Sequence, residues 1–240
     1  MASIAAVIPV LDEEAAIGDV VRDARAHVGR VVVVDGGSMD ETVARARAAG
    51  AEVVIEPRRG YGRALRTGIA TLGADTDIIV LVDGDGSDRL ERIPDLVAPL
   101  LSGSADFVHG TRLTGEREAG ALSPPQIVAG HLAGALIRAL YGVRYTDMSP
   151  FRAIRRETLE RLGMQEETFG WNLEMQMRAA AKGLRVVEVP VGQRRRRGGK
   201  SKVSGDVVTS LKVAFVLMRT TLRLAATLRR ERQITPQLVR

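Results

Sequence analysis

The chain has no cysteine, which excludes disulfides, thiolate zinc sites and thiol catalysis and fits a reducing cytoplasm. Aromatic residues make up only 3%, with a single tryptophan. The stacked platforms that hold single-stranded nucleic acid are therefore missing, and no nucleic-acid partner is expected. Three histidines, His27, His109 and His131, are scattered without metal-ligand spacing, and each reads as structural. No uninterrupted apolar run reaches the ~18 residues that a membrane-spanning helix needs. The opening residues have no basic leader and meet Asp12, Glu13 and Glu14 at once, so they read as a strand and not as a signal peptide.

What is present suits one α/β domain: 240 residues, 45% hydrophobic and 27% charged. The net charge is +6, and the excess lies late, in Arg194–Arg197, Lys200 and Lys202 and again in Arg219, Arg223, Arg229, Arg230 and Arg232. Such a tail suits anionic partners, among them phosphates and lipid headgroups. Strand-like and helix-like stretches alternate through the first half. Strands are expected at 4–10, 30–35, 51–55 and 77–82, and helices at 14–27, 40–49 and 60–72, with Ser38 or Asp40 capping the second helix. The four consecutive valines of the second strand read as buried on both faces, which implies a parallel sheet with right-handed crossovers. Further on, strands are expected at 105–110, 151–154 and 184–191 and helices at 93–101, 127–141 and 171–182, with a mobile Gly-rich loop at 113–123. A last helix, 206–230, is apolar around much of its girth and dotted with Arg and Lys. It suits a bilayer interface, its own sheet, or a second subunit in a homodimer.

Three segments carry chemistry. Asp83-Gly84-Asp85-Gly86 follows a buried strand at the carboxyl edge of the sheet, where open α/β sheets bind ligands. Two carboxylates at that spacing suit Mg²⁺ or Mn²⁺ shared with phosphate oxygens, and Gly84 lets backbone approach the ligand. The other reading is an acidic turn. Asp35-Gly36-Gly37-Ser38-Met39-Asp40 ends the second strand with an acid placed to meet a ribose or base, or with a capping turn. Arg58-Arg59-Gly60-Tyr61-Gly62-Arg63 opens a helix suited to phosphate. Leu65 stands where the dinucleotide fingerprint needs a third glycine, so an NAD enzyme is disfavoured.

Taken in order, Ile8–Glu14, Val33–Asp40, Gly60–Gly62, Asp83–Asp85, Gly110–Arg112, Thr146–Arg152, Gly170–Glu174 and Gly199–Lys202 resemble family 2 glycosyltransferases of GT-A fold. The likeness is nearest to the polyprenyl (dolichol) phosphate sugar synthases. It implies an α/β fold with a mixed, mainly parallel sheet. The domain would span 1–205, with a C-terminal amphipathic basic helix and tail, 206–240, as part of the same unit. It implies a nucleotide diphosphate sugar as donor, with Pro9, Leu11, Glu13 and Asp35 lining the nucleoside pocket. Asp83 would face ribose or metal, and Asp85 would ligate the Mg²⁺ or Mn²⁺ bridging the diphosphate. Arg112 would orient acceptor or phosphate. Arg152, Arg196 and Lys202 would offset charge on the diphosphate or an anionic acceptor, and Trp171 and Glu174 would approach the sugar and acceptor side. Two departures stand out: Gly36 replaces a second acid or Asn, and Gln126-Ile127-Val128 stands where lipid-phosphate synthases carry an arginine.

A metal-held nucleoside diphosphate is a stabilised leaving group, and attack from the opposite face inverts the anomeric carbon. A hydroxyl acceptor needs a general base, for which Asp147 or Glu174 is the candidate; a phosphate acceptor needs only cations, which the arginines supply. The expected acceptor is a polyprenyl phosphate, met by a cytoplasmic protein held peripherally at the inner membrane face. The alternatives are a hydroxyl acceptor, a nucleotidyltransferase, or a non-catalytic nucleotide-sugar-binding protein. Leu11-Asp12-Glu13-Glu14 argues against the nucleotidyltransferase, because it occupies the place of that class's Gly-rich loop.

Overall fold

Val31–Val34 can satisfy both faces only if helices cover them, and the computed structural model places them at 0–4% exposure in the second strand of a seven-stranded sheet. The structure describes residues 2–198 and 219–230. The 199–202 motif with Lys202, the expected boundary after residue 205 and the first part of the expected C-terminal helix lie outside the described residues.

The strands are β1 (Ile4–Val10), β2 (Arg30–Asp35), β3 (Glu52–Ile55), β4 (Ile78–Leu81), β5 (Phe107–Thr111), β6 (Arg152–Arg155) and β7 (Val186–Pro190), in the spatial order β3-β2-β1-β4-β6-β5-β7. Only β6 runs against its neighbours, pairing antiparallel with β4 and β5. The sheet is thus mixed and mostly parallel, as expected. The chain builds outward from β1 to β3 and then returns to lay β4 on the other side of β1. The carboxyl ends of β1 and β4 therefore flank the point where the winding reverses, the place where open sheets leave a crevice.

One sheet face carries Ala6, Ile8, Val31, Val33, Ile78 and Val80 under α1 (Ile17–Arg25), Ala46 of α2 (Thr42–Ala48) and α4 (Ile93–Leu101). The other carries Val7, Val32, Val34, Ile79, Leu81 and Phe107. It is covered by α3 (Tyr61–Thr71), α5 (Pro124–Tyr141), α6 (Arg156–Leu162), α7 (Trp171–Ala181) and the helical segment 219–230, α8, through Leu224, Ala225 and Leu228. The described part of the last helix thus packs on its own domain.

The expected elements shift at their ends for local reasons. Residues 14–16 form a turn before α1 begins at Ile17. Asp40 accepts the Thr42 N–H at 3.0 Å and starts α2 two residues late, while Ser38 turns to the Asp12 N–H. The expected mobile loop at 113–123 is pinned by main-chain bonds from Gly192 to Thr114, Gln193 to Glu116 and Glu118 to Gln193. Helix α6 was not expected, since seven residues with only Leu159 and Leu162 apolar give too short a pattern.

Gly68 shows how tightly α3 sits. A methyl there would stand 2.6 Å from Val34 Cγ2 and from Val7 Cγ1, whereas at Gly18 of α1 it would meet only the far end of Arg22. Gly18→Ala should raise stability by about 0.5 kcal/mol through helix propensity. Gly68→Ala should lower it by roughly 1–2 kcal/mol because overpacking exceeds that gain. Urea unfolding of both variants reads the sign directly.

Candidate active site

The loops leaving β1, β2 and β4 form the crevice. Asp12 takes a left-handed backbone (φ 52°), and its side chain accepts the Met39 N–H at 2.9 Å while Ser38 accepts its own N–H. This stitches the β1 loop to the β2 loop. Asp35 is 2% exposed, and its carboxylate takes the N–H groups of Gly37 and Ser38 together with the Ser38 hydroxyl. Its acceptors are thus engaged in shaping its own turn.

After β4 the Asp-Gly-Asp loop packs against β1. A side chain on Gly84 would fall 2.4 Å from Val10 Cγ1, so its glycine serves close packing within the protein. The Tyr61 hydroxyl donates to Asp83 Oδ1 at 3.2 Å, the Asp83 N–H donates to Asp88, and Asp85 Oδ1 accepts the Ser87 N–H at 2.9 Å. Burial, then the neighbouring Asp85 charge, pushes the Asp83 carboxyl up to about 7. Burial and Asp83 push Asp88 up as well. Arg196 crosses this cluster, with Nη1 3.1 Å from Asp85 Oδ2 and Nη2 2.6 Å from Glu13 Oε1.

The acids suit a hard divalent ion. The raised values of Asp83 and Asp88 mark a place short of positive charge, and a guanidinium already stands beside Asp85. Among the described residues no three acids or histidines converge as a metal cage. Asp83 and Asp85 would supply one or two ligands and leave the rest to phosphate and water, as Mg²⁺ prefers.

Arg112, just beyond β5, forms a two-armed pair with Asp147, Nε to Oδ2 and Nη2 to Oδ1 both at 2.7 Å. The main-chain N–H groups of Arg112 and Met148 add two more bonds to the same carboxylate. Burial alone would raise Asp147, but Arg112 overrides it and holds the carboxyl at about 2. Behind it His109 is fully buried, within 3.0 Å of the Asp147 carbonyl, and burial lowers it to about 3, so it is neutral and structural as expected.

The model for Glycosyl transferase family 2 matches residues 5–163, well over half of the chain. The chain belongs to that family. An uncharacterized glycosyltransferase of Mycobacterium tuberculosis is 39% identical over 211 residues, 87% of this transferase and 93% of the relative. A dolichyl-phosphate hexose transferase of Haloferax volcanii is 36% identical over 201 residues, covering 81% and 84% of the two chains. Glucosyl-3-phosphoglycerate synthase of M. tuberculosis, solved with Mn²⁺, uridine diphosphate and phosphoglyceric acid, superposes with a TM-score of 0.72 at 25% identity over 93% of the transferase and 78% of the synthase. The fold is of the GT-A type, and the nucleotidyltransferase reading falls with the family assignment.

Within the transferase the motifs divide. Glu13, Asp83, Asp85 and Arg196 meet at the crevice, with Pro9 and Leu11 on and just after β1. Arg112 lies close enough to Asp83 and Asp88 to feel their charge. Three residues expected at the crevice are instead placed in the core. Trp171 is 1% exposed and packs under Gly62 of α3, so it offers no sugar-facing surface. Glu174 is fully buried, and its carboxylate takes the N–H groups of Gln165 and Glu166 and Arg178 Nε. Arg152 is fully buried over the Phe107 ring and donates to the carbonyls of Ser149 and Asn172. Glu174 and Arg152 each tie down a loop through its main chain. Sequence reasoning passed over Tyr61, which reaches Asp83 and stacks on the half-exposed Phe169 at 6.0 Å, and Asp88. The Gly60-Tyr61-Gly62 spacing carried a signal for the first; a third acid within Asp83–Asp88 carried one for the second.

Asp147→Asn would leave the Arg112 cation buried with half a partner and should cost about 3 kcal/mol. The wild-type carboxyl is held below its unfolded value, so its contribution is complete above about pH 5 and disappears as pH falls through about 2. Urea titrations at pH 7 and pH 3 should show the gap between variant and wild type narrowing in acid.

Proposed function

We propose that this transferase moves a hexose from a nucleotide diphosphate sugar to a polyprenyl phosphate, inverting the anomeric carbon. The state of the two acids considered as bases carries the reading. Asp147 is clamped by Arg112 and held at about 2, and Glu174 is buried under two N–H groups and Arg178. Neither is placed to deprotonate a hydroxyl, whereas a phosphate acceptor arrives already anionic. The hydroxyl-acceptor alternative loses its bases on this ground. The phosphate acceptor also accords with the dolichyl phosphate in the name of the Haloferax relative.

On the donor side, Pro9, Leu11, Glu13 and the turn shaped by Asp35 line the nucleoside pocket. Asp83 and Asp85 hold Mg²⁺ or Mn²⁺, in keeping with the Mn²⁺ and uridine diphosphate of the structural neighbour. The ion's contribution is to neutralise charge building on the departing diphosphate. Tyr61 orients Asp83, and Arg196 offsets diphosphate charge. Arg112 uses Nε and Nη2 on Asp147, which leaves Nη1 to steer an incoming phosphate.

A lipid acceptor calls for contact with a bilayer, and one face fits. On α5, Val128, Leu132 and Leu140 are exposed at helical spacing. They continue into a groove of about 260 Å³ lined by Leu136, Leu222 and Ala226. Neither α5 nor 219–230 contains an acid, while Arg138, Arg219, Arg229 and Arg230 are exposed along them. An apolar stripe with arginines beside it suits an anionic bilayer and supports a peripheral position at the inner face. No helix among the described residues is long and apolar enough to cross a membrane.

Nucleoside diphosphate release from a panel of UDP-, GDP- and dTDP-sugars should rise at least tenfold when a short polyprenyl phosphate is added; equal stimulation by the free polyprenol would overturn the phosphate acceptor. Asp85→Asn should remove metal-dependent donor binding in calorimetry while leaving the circular dichroism spectrum intact. Leu132→Glu with Leu222→Glu should abolish sedimentation with phosphatidylglycerol vesicles and spare release with the short acceptor. A switch from dimer to monomer in that variant, with vesicle binding unchanged, would make the face a homodimer interface instead.

A further inference from the structure

Residues 194–197 lie across the Asp-Gly-Asp loop like a clasp. Main-chain bonds fix them there, Arg194 N–H to the Ser87 carbonyl at 2.9 Å and Arg197 N–H to the Asp85 carbonyl at 3.1 Å. Three of the four arginines turn outward: Arg194 pairs with Glu91, Arg197 pairs with Asp19, and Arg195 donates to the Ala119 carbonyl. Arg196 alone turns in and places one guanidinium arm on each of Glu13 and Asp85, with its Nε buried and without a partner.

The geometry at Asp85 makes this contact consequential. Oδ1 accepts the Ser87 N–H, which leaves Oδ2 the less engaged oxygen toward an ion, and it is the one that Arg196 holds. A divalent cation and a guanidinium repel each other at that distance, so Arg196 and an ion compete for Oδ2. A diphosphate changes the balance, because it brings acceptor oxygens and negative charge that can receive the guanidinium as it leaves Asp85.

We propose that Arg196 is the resident counter-ion of Asp85 in the donor-free transferase, that it withholds this carboxylate from divalent metal, and that it transfers to the donor's diphosphate when metal and nucleotide enter together. The inference rests on the reading of Asp85 as a metal ligand. It adds a property that reading does not contain: beyond the coupling that a shared ion gives, part of the positive coupling between metal and nucleotide resides in one side chain. By linkage each ligand then tightens the other by the same factor. Free Mg²⁺ or Mn²⁺ does not load the empty site well, and a nucleotide without metal meets an arginine still tied to two acids.

The test is Mn²⁺ binding to the full-length protein, followed by the electron paramagnetic resonance signal of the free ion, with and without saturating uridine diphosphate and corrected for the Mn²⁺–nucleotide complex. Wild type should bind Mn²⁺ alone at least about tenfold more weakly than with nucleotide. Arg196→Ala should bind Mn²⁺ alone roughly five- to tenfold more tightly than wild type, and its coupling to nucleotide should shrink by the same factor. Arg195→Ala loses the same charge from the same clasp without touching Asp85 and should stay within about twofold of wild type. Should Arg196→Ala fail to fold, Arg196→Lys keeps the charge but loses the two-armed bridge and should show a smaller shift of the same sign. Metal affinity unchanged in Arg196→Ala, or raised equally in Arg195→Ala, would overturn the proposal. Mn²⁺ binding that survives Asp85→Asn in the presence of nucleotide would overturn the metal reading itself, which separates the two failures.

Discussion

Asp83, Asp85 and Asp88 fall within six residues at the carboxyl end of β4, and burying carboxyl groups so close together is costly unless positive charge is brought to them. Much of the surrounding architecture answers that demand. Arg196 comes from the far end of the domain to bridge Asp85 and Glu13, the Tyr61 hydroxyl comes from the start of α3 to Asp83, and Arg112 acts from beyond β5. A site built this way is attractive to cations and to the diphosphates that travel with them. The same imbalance that strains the fold locally gives the crevice its chemistry.

A second constraint governs the region of Arg112 and Asp147. Arg112 and Asp147 lock each other through two side-chain bonds and two main-chain N–H groups. The lock removes Asp147 as a base while fixing an arginine where it can meet an anion. Glu174 does comparable work out of sight, gathering the N–H groups of Gln165 and Glu166 so that the loop carrying Phe169 lies against Tyr61. Trp171 beneath Gly62 and Arg152 over Phe107 complete the support.

The parts of the molecule legible in sequence were those fixed by local pattern. The valine run of β2, the alternation through β4 and the acids after it announced a parallel sheet with a charged carboxyl edge, and the motif order gave the family. Direction was not legible. Trp171, Glu174 and Arg152 stand within recognisable motifs, yet which way each points depends on packing against α3, α7 and Phe107, elements distant in the chain. Asp147 could be read as an acid but not as a clamped one, because its partner lies 35 residues earlier. Helix α6 escaped because two apolar residues in seven leave no period to detect.

The bond between Glu13 and Arg196 spans 183 residues and has a consequence for how the protein comes into being. The acids are made early and their counter-ion late, after β7 has been added at the sheet edge. A ribosome-bound chain that has reached α7 therefore carries the acidic crevice without the arginine that balances it. The charge of the crevice is balanced only when Arg196 has been laid across it. A ligand that draws on Arg196 would therefore stabilise the whole domain and not just the loop it touches.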